Sequence, residues 1–353
     1  MLQLFFMKIL ILIEDISLGG GTERVALTLA KNLNIDGIAC DIFSLSKSNE
    51  DTFYSSDNLN IYYAKSKNSI LAKIEAINHA KKNKMKLLIF SMGRLSVEIA
   101  ILSRLCLFKH FCCYEHISFT SFSGLIQKIK LFSYRLSRGV VFLTEHDRDL
   151  IQHKLPFVPV ASIENISPFS TIKKNNTSTR KNIVLAVGRL TKQKNFSRLI
   201  DLWSRVDRPE WSLIIAGNGP DRYSLDEQIK RLGLSNVKIV GAVREISKLY
   251  LTSKILVLTS RYEGFPMVMV EAQCFGLPAV SFDCKTGPSE IIINESTGYI
   301  IPYHDDALFI EKLQRLIDYP EELDVFSCNS LKNAQRFTYE NTRCKWLKVL
   351  EKI

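Results

Sequence analysis

A chain of 353 residues with 46% hydrophobic and 24% charged side chains can bury about two domain cores, which excludes a disordered tail or a small disulfide-stapled scaffold. Its net charge of +11 favours an anionic partner, whether nucleic acid, anionic lipid or a phosphorylated substrate, without choosing among them. The eight cysteines, two of them adjacent at Cys112 and Cys113, follow no metal-ligand spacing and no compact disulfide pattern, as expected in a reducing cytosol.

The opening run from Met1 to Ile13 lacks the basic leader and small-residue cleavage site of a signal peptide. Lys8–Ile13 is therefore read as a first parallel strand preceded by a short extension, with Met7 as an alternative start. Ala39–Ser44, Leu87–Phe90, His110–Tyr114 and Val140–Thr144 complete a first series of strands. Asn182–Val187, Ser212–Ala216, Val237–Val240, Ile255–Thr259 and Ala279–Phe282 form a second. Short apolar strands alternating with longer helical patterns predict parallel sheets built from βαβ units. The Ser/Thr/Asn-rich stretch Ser167–Lys181 separates the series, placing domains at residues 1–168 and 182–338. Uncharged apolar runs fall far below the ~18–20 residues of a membrane-spanning helix, so no span is predicted.

The chemistry-bearing residues follow strand ends. Gly19-Gly20-Gly21-Thr22-Glu23-Arg24 opens a helix at Val25–Leu33, where free backbone N–H groups attract anions and glycines allow close approach. It is neither Gly-x-Gly-x-x-Gly nor a Walker loop, and a tight turn is the other reading. In the segment Gly188-Arg189-Leu190-Thr191-Lys192-Gln193-Lys194, a glycine turn carries a bidentate guanidinium and a compact ammonium. Together Arg189 and Lys194 could balance the two charges of a diphosphate; the alternative is a solvated basic loop. Gly217-Asn218-Gly219-Pro220 is a further turn with accessible backbone, and Lys285–Glu290 follows a later strand.

Glu263 and Glu271 have seven residues between them, with Gly264-Phe265-Pro266 after the first. Strand periodicity upstream puts Glu263 in the loop past a strand's carboxyl end and Glu271 on the next helix, where ligands of open α/β sheets bind. An ionised carboxylate accepts two strong hydrogen bonds from a vicinal diol of a sugar or ribose. Spacing alone is equally compatible with a loop acid and an exposed helix acid. Asp147-Arg148-Asp149 sits at a helix start, where acids complement the dipole, and is not read as a metal site. The segment Gly124–Arg138 alternates apolar and basic residues at helical spacing. It could lie on an anionic bilayer with its basic stems at the headgroups, or turn its apolar side to the core and its basic side to water.

Taken in order, Gly20-Gly21-x-Glu23, Glu115-His116, Gly188-Arg189-Leu190 with Lys194, Gly217-x-Gly219-Pro220, and Glu263-Gly264-Phe265-Pro266 with Glu271 resemble the retaining glycosyltransferases of family 4. The resemblance runs over most of the chain, and its glutamate element is the specific part. It implies a GT-B fold: two Rossmann-like, doubly wound parallel-sheet domains facing across a cleft. The closing helix, Tyr339–Ile353, would cross back onto the first domain.

By the same resemblance, Arg189 and Lys194 hold the donor diphosphate, Glu271 the ribose hydroxyls and Glu263 hydroxyls of the transferred sugar. Asn218 to Pro220 lie near the nucleobase, Gly188 and Gly217 shape the donor loops, and Gly20 and Gly21 approach the phosphates. His116 stands near the donor sugar, while the role of Glu115 stays open. The implied donor is a UDP-sugar with no cofactor and no metal, and the acceptor is a polyprenyl-diphosphate-linked glycan of O-antigen, lipopolysaccharide or capsule synthesis. The expected location is the cytoplasm, peripheral on the inner face of the membrane. A nucleotide-sugar epimerase of the same architecture is one alternative. A basic nucleic-acid-binding protein is another, although no zinc finger, RNP aromatic motif or basic recognition helix is present.

Overall fold

Aliphatic and β-branched runs such as Ile9–Leu12, each residue fully buried, become strands covered on both faces, as the strands of a parallel sheet must be. The computed structural model describes residues 7–169, 180–284 and 287–353; the start of the chain, most of the polar linker and the pair Lys285-Thr286 lie outside the described residues. Two compact units result, Met1–Pro168 with Phe337–Ile353, and Phe169–Arg336.

The first unit runs β1 (Lys8–Asp15), α1 (Gly21–Ile35), β2 (Ala39–Ser46), β3 (Ile61–Tyr63), α2 (Ser69–Lys82), β4 (Lys86–Ser91), α3 (Arg94–Leu105), β5 (Phe111–Glu115), α4 (Gly124–Leu136), β6 (Val140–Phe142), α5 (Glu145–Lys154) and β7 (Val160–Ser162). The second runs β8 (Ile183–Val187), α6 (Phe196–Trp203), β9 (Ser212–Ala216), α7 (Arg222–Arg231), β10 (Val237–Gly241), α8 (Ile246–Thr252), β11 (Ile255–Leu258), α9 (Met267–Cys274), β12 (Ala279–Asp283), α10 (Pro288–Ile291), β13 (Gly298–Pro302), α11 (Asp306–Asp318) and α12 (Pro320–Ala334). The closing helix, α13 (Tyr339–Lys352), returns to the first unit.

The sheets are ordered β3-β2-β1-β4-β5-β6-β7 and β10-β9-β8-β11-β12-β13. Neighbouring strands are parallel, with Leu10 opposite Leu87 in the first sheet and Leu185 opposite Leu256 in the second. In each unit the chain winds one way from the first strand and then the other. Strand order therefore reverses between β1 and β4 and between β8 and β11, and loops beyond the carboxyl ends of those strands form the ligand-binding edge of such sheets.

Three strands go beyond those read from the sequence: β3, β7 and β13, all at sheet edges. An edge strand has one neighbour, and two of these have three residues, too short for a hydrophobic run to register. Thr144, expected as a strand end, instead caps α5 by accepting a hydrogen bond from the Asp147 backbone N–H at 3.2 Å. Asp147 is buried and also accepts from Ser118 Oγ and the Phe119 N–H, which ties it to the fold.

The closing helix is held by apolar and polar contacts. Trp346 is fully buried with its ring 5.0 Å from Tyr114, edge on. Arg343 and Tyr339 both reach Asp36, each at 2.6 Å. Helix α4 does not fit the reading that turns its apolar side to the core and its basic side to water. Its basic side does not simply face water, because Lys130 is only 1% exposed. The apolar residues Leu125, Ile126, Ile129 and Phe132 are exposed instead. All eight cysteines are free thiols.

Candidate functional site

The loops at the carboxyl ends of β8, β9 and β10 are stitched together through their backbones. Gly188 N–H donates to the Ala216 carbonyl at 3.0 Å, Leu190 N–H to Asn218 at 2.9 Å, and Gly217 N–H to Gly241 at 2.8 Å. A Cβ on Gly217 would overlap the Gly188 carbonyl oxygen, and one on Gly219 would overlap that of Leu190. The glycines of this turn are therefore required by the packing of loop on loop. Asn218 and Pro220 stand exposed at its crest.

Lys194 ends the β8 loop with its stem lying over Gly188, where an added Cβ would come within 3.2 Å of Lys194 Cε. Asn195 then takes a left-handed conformation, φ 55°, and turns the chain into α6. The ammonium reaches across to the loop after β11, where Nζ lies 2.6 Å from Glu263 Oε1. The same oxygen accepts from Ser260 Oγ at 2.5 Å. Backbone bonds keep these loops in register: Arg261 N–H donates to Gln193 O at 2.8 Å, and Gln193 Nε2 donates to Tyr262 O at 3.0 Å. The Arg189 side chain is exposed and has no hydrogen-bond or ion-pair partner among the described residues. The result is a largely buried ion pair at the ligand-binding edge of the sheet, with an exposed guanidinium on the same loop as its lysine.

Glu263 and Glu271 occupy the expected places, the loop past β11 and helix α9. Both are buried rather than solvated, at 8% and 3% exposure. The Tyr250 hydroxyl, itself fully buried, donates to Glu271 Oε2 at 2.9 Å. Gly287, at φ 102°, packs on the Gly264 carbonyl and the Pro266 ring and so pins the turn between the two acids. Cys284, at the end of β12, is buried in the same neighbourhood. Burial first, and the Glu263 carboxylate second, push its thiol up to about 12.

In the first unit, Gly20 caps α1 and Gly21 begins it, both exposed. The Glu23 side chain folds back over Gly20, and the Phe53 ring covers Gly19. Tyr54 OH donates to Gly19 O at 3.1 Å while the Arg24 guanidinium lies 4.8 Å above its ring. His116 follows β5, its N–H donating to Ser91 O at 2.9 Å. The imidazole packs between Tyr114 at 4.3 Å and Phe90 at 4.9 Å. Its Nε2 is buried with no partner among the described residues, and burial lowers its pKa to about 3, so the ring is neutral at ordinary pH. The preceding Glu115 forms a buried ion pair with Lys130, whose Nζ lies 3.0 Å from Oε2.

Thus Gly188, Arg189, Lys194, Gly217, Asn218, Gly219, Pro220 and Glu263 gather around the carboxyl ends of β8, β9 and β11, with Glu271 on the adjoining helix. Gly20, Gly21 and His116 belong to strand ends of the other unit. Ser260, Tyr250 and Lys130, which hold Glu263, Glu271 and Glu115, were not singled out as functional. Tyr250 and Lys130 are distant in sequence from their partners, and a common residue type at such separation carries no signal. Among the described residues, no three His, Cys, Asp or Glu side chains come together as a metal site. No described helix is long and apolar enough to cross a membrane.

Residues 169–333 match the family described as glycosyl transferases group 1. The chain is 38% identical over 352 residues to the amylovoran biosynthesis glycosyltransferase AmsD of Erwinia amylovora, covering 97% of this chain and 99% of that one. Among solved structures, a Staphylococcus aureus TarM mutant in complex with fondaparinux, α-GlcNAc-glycerol and UDP superposes with a TM-score of 0.83 at 16% identity, over 98% and 100% of the two chains. Anabaena HepE in complex with UDP-glucose gives 0.83 at 18%, with the same coverage. These similarities do not favour an epimerase or a nucleic-acid-binding protein. With a close relative matched across both units and each unit a doubly wound parallel sheet, the chain belongs to the group 1 glycosyltransferases and is an enzyme of GT-B fold.

Proposed function

We propose that this enzyme transfers a hexosyl group from a UDP-sugar to a lipid-linked glycan, with retention at the anomeric carbon, during synthesis of a surface polysaccharide. The observation that carries the reading is the Lys194–Glu263 pair at 2.6 Å, with Arg189 exposed on the same loop as Lys194. A glycosyl group leaving a diphosphate passes through an oxocarbenium-like state, so the largest contribution a protein can make is fixed positive charge at the departing oxygens. Arg189 binds one phosphate as a fork and Lys194 the other as a point charge. Glu263, sharing the Lys194 ammonium, accepts hydroxyl hydrogens of the transferred sugar, and Glu271 accepts those of the ribose.

The glycine turn at Gly188, Gly217 and Gly219, with Asn218 and Pro220, forms the nucleobase side. Gly20 and Gly21 offer backbone N–H groups to the phosphates. The neutral His116 faces the sugar as a hydrogen-bond partner, because an imidazole that holds no proton charge does not compete with the cationic transition state. The acceptor hydroxyl attacks from the side of the leaving diphosphate, whose oxygen takes the acceptor's proton. Arg189 and Lys194 supply the charge that a divalent cation would otherwise bring. UDP in the TarM complex and UDP-glucose in the HepE complex support the choice of nucleotide. The AmsD similarity supports a polysaccharide pathway. A lipid-linked acceptor, with the enzyme peripheral on the inner membrane face, suits the outward apolar side of α4.

The test is a screen of UDP-glucose, UDP-galactose, UDP-N-acetylglucosamine and GDP-mannose against the purified enzyme, reading nucleotide release and label transfer to lipid extracts. A UDP-sugar should be turned over, with the anomeric configuration of the product matching that of the donor. Neither binding nor turnover of any of the four, or an inverted product, overturns the proposal.

A further inference from the structure

Glu115 ends β5 and His116 follows it, so the two side chains leave opposite faces of the sheet, as neighbours along a strand do. On one face the His116 ring packs on Tyr114 and Phe90. On the other the buried Glu115 carboxylate accepts two hydrogen bonds from Lys130 Nζ, at 3.1 and 3.0 Å. The same ammonium, equally buried, donates to Gly93 O at 2.7 Å and to Ser96 Oγ at 3.2 Å. The rings of Phe122 and Tyr134 flank it at 4.8 and 5.5 Å.

Lys130 acts where the sheet stops holding its strands together. Strands β4 and β5 are paired as far as Ser91 opposite Glu115, and the His116 N–H bond to Ser91 O follows. Beyond it the two chains part. Gly93, in the left-handed region at φ 118° beneath the Phe122 ring, caps α3, and its N–H donates to Ser91 Oγ at 3.0 Å. Lys130 spans the gap, with the Gly93 carbonyl of one loop and the Glu115 carboxylate of the other on a single nitrogen. Met92, in the turn held this way, accepts from Thr22 Oγ1 through its sulfur at 3.2 Å, which adds the loop of Gly20 and Gly21 to the same chain of contacts.

Stability does not call for ions here. An apolar pair of similar volume is commonly as stable as a buried ion pair, whereas hydrogen-bonded charges fix both distance and direction. The His116 ring lacks such a restraint of its own, since its buried Nε2 has no partner among the described residues. We propose that Lys130 is a positioning residue for sugar transfer. Through Glu115 it fixes the backbone from which His116 projects, and through Gly93 it fixes the turn alongside. Glu115 is thereby an anchor and takes no part in the chemistry. The inference rests on the reading that His116 faces the donor sugar.

The full chain is compared with a double variant, Lys130→Met with Glu115→Leu, which removes both charges and leaves neither stranded. The variant should stay folded by circular dichroism and bind UDP with unchanged affinity by calorimetry, because the donor loops belong to the second unit. Its kcat should nevertheless fall about tenfold to a hundredfold, the loss expected of a displaced group. In a His116→Ala background the same two substitutions should lower kcat little further, because their effect passes through the imidazole. The His116 ring resonances should shift in the double variant by NMR, a readout that needs no substrate. The proposal falls if the folded double variant turns over at the native rate, if the loss is as large without His116 as with it, or if the ring resonances do not move. A double variant that does not fold overturns it as well, since the pair would then be structural. Absence of turnover in the native chain removes the enzymatic reading instead, and the resonances alone then decide whether Lys130 positions the ring.

Discussion

The ammonium of Lys194 and the carboxylate of Glu263 form an ion pair at 2.6 Å that joins the loops after β8 and β11. Neither charge is fully solvated, with side-chain exposures of 17% and 7%. Such a pair is already arranged before a ligand arrives, so an incoming diphosphate meets a cation whose position needs little reorganisation.

Removing the two cations should separate function from stability. Lys194→Ala strips a buried carboxylate of its counter-charge, so turnover should fall about 10²–10³-fold and stability by about 1–3 kcal/mol. Arg189→Ala should lower turnover in the same direction and leave the melting temperature unchanged, since its guanidinium has no protein partner among the described residues. Steady-state kinetics with thermal unfolding of both variants tests this; equal melting losses would show that Arg189 is structural.

The two glutamates should divide binding from transfer. Glu271→Ala removes charged acceptors, among them the oxygen that accepts from the buried Tyr250 hydroxyl, so UDP affinity should drop about tenfold to a hundredfold by calorimetry. Tyr250→Phe should cause a smaller loss of the same kind. Glu263→Ala should leave UDP affinity nearly intact and depress transfer.

The pH response of His116 has a defined sign. Burial holds its folded pKa at about 3 against 6.5 for a free imidazole. Between those values the unfolded chain binds a proton that the folded chain does not. Its contribution to stability is therefore complete above pH 6.5 and is lost as pH falls toward 3. Ring resonances of His116 followed by NMR should show no titration from pH 8 to 5. His116→Gln should remove part of the acid sensitivity in unfolding experiments.

Gly217→Ala should destabilise the second unit by about 1–3 kcal/mol, because the new methyl overlaps the Gly188 carbonyl and the loops after β8 and β9 must part. Arg189 rides on the first of these loops, so turnover should fall as well. A thermal melt paired with kinetics tests the prediction. Gly233→Ala, at a glycine with open space around it, controls for backbone effects alone.

Central strands were legible because they are buried on both faces and so appear as unbroken apolar runs, from Ile9–Leu12 to Ile255–Leu258. The placement of Glu263 after a strand and Glu271 on the next helix followed from the change of period between them. The edge strands β3, β7 and β13 were not legible, since short one-sided pairing leaves no such run. The orientation of α4 was left open for a different reason. Periodicity sorts residues onto faces but does not say which face is inside, and a single lysine with a buried carboxylate partner lies inside while four large apolar side chains of the helix stay exposed.

What the residue order determined alone was the succession of βαβ units, the turns at strand ends and the identity of the charged groups those turns carry, all properties set by neighbours along the chain. Which charges meet was decided only in three dimensions. Lys194 finds Glu263, Tyr250 finds Glu271 and Lys130 finds Glu115 because strand order and loop packing bring together positions 69, 21 and 15 residues apart. Separations of that size carry no periodic signal; only closure of the sheets supplies the proximity.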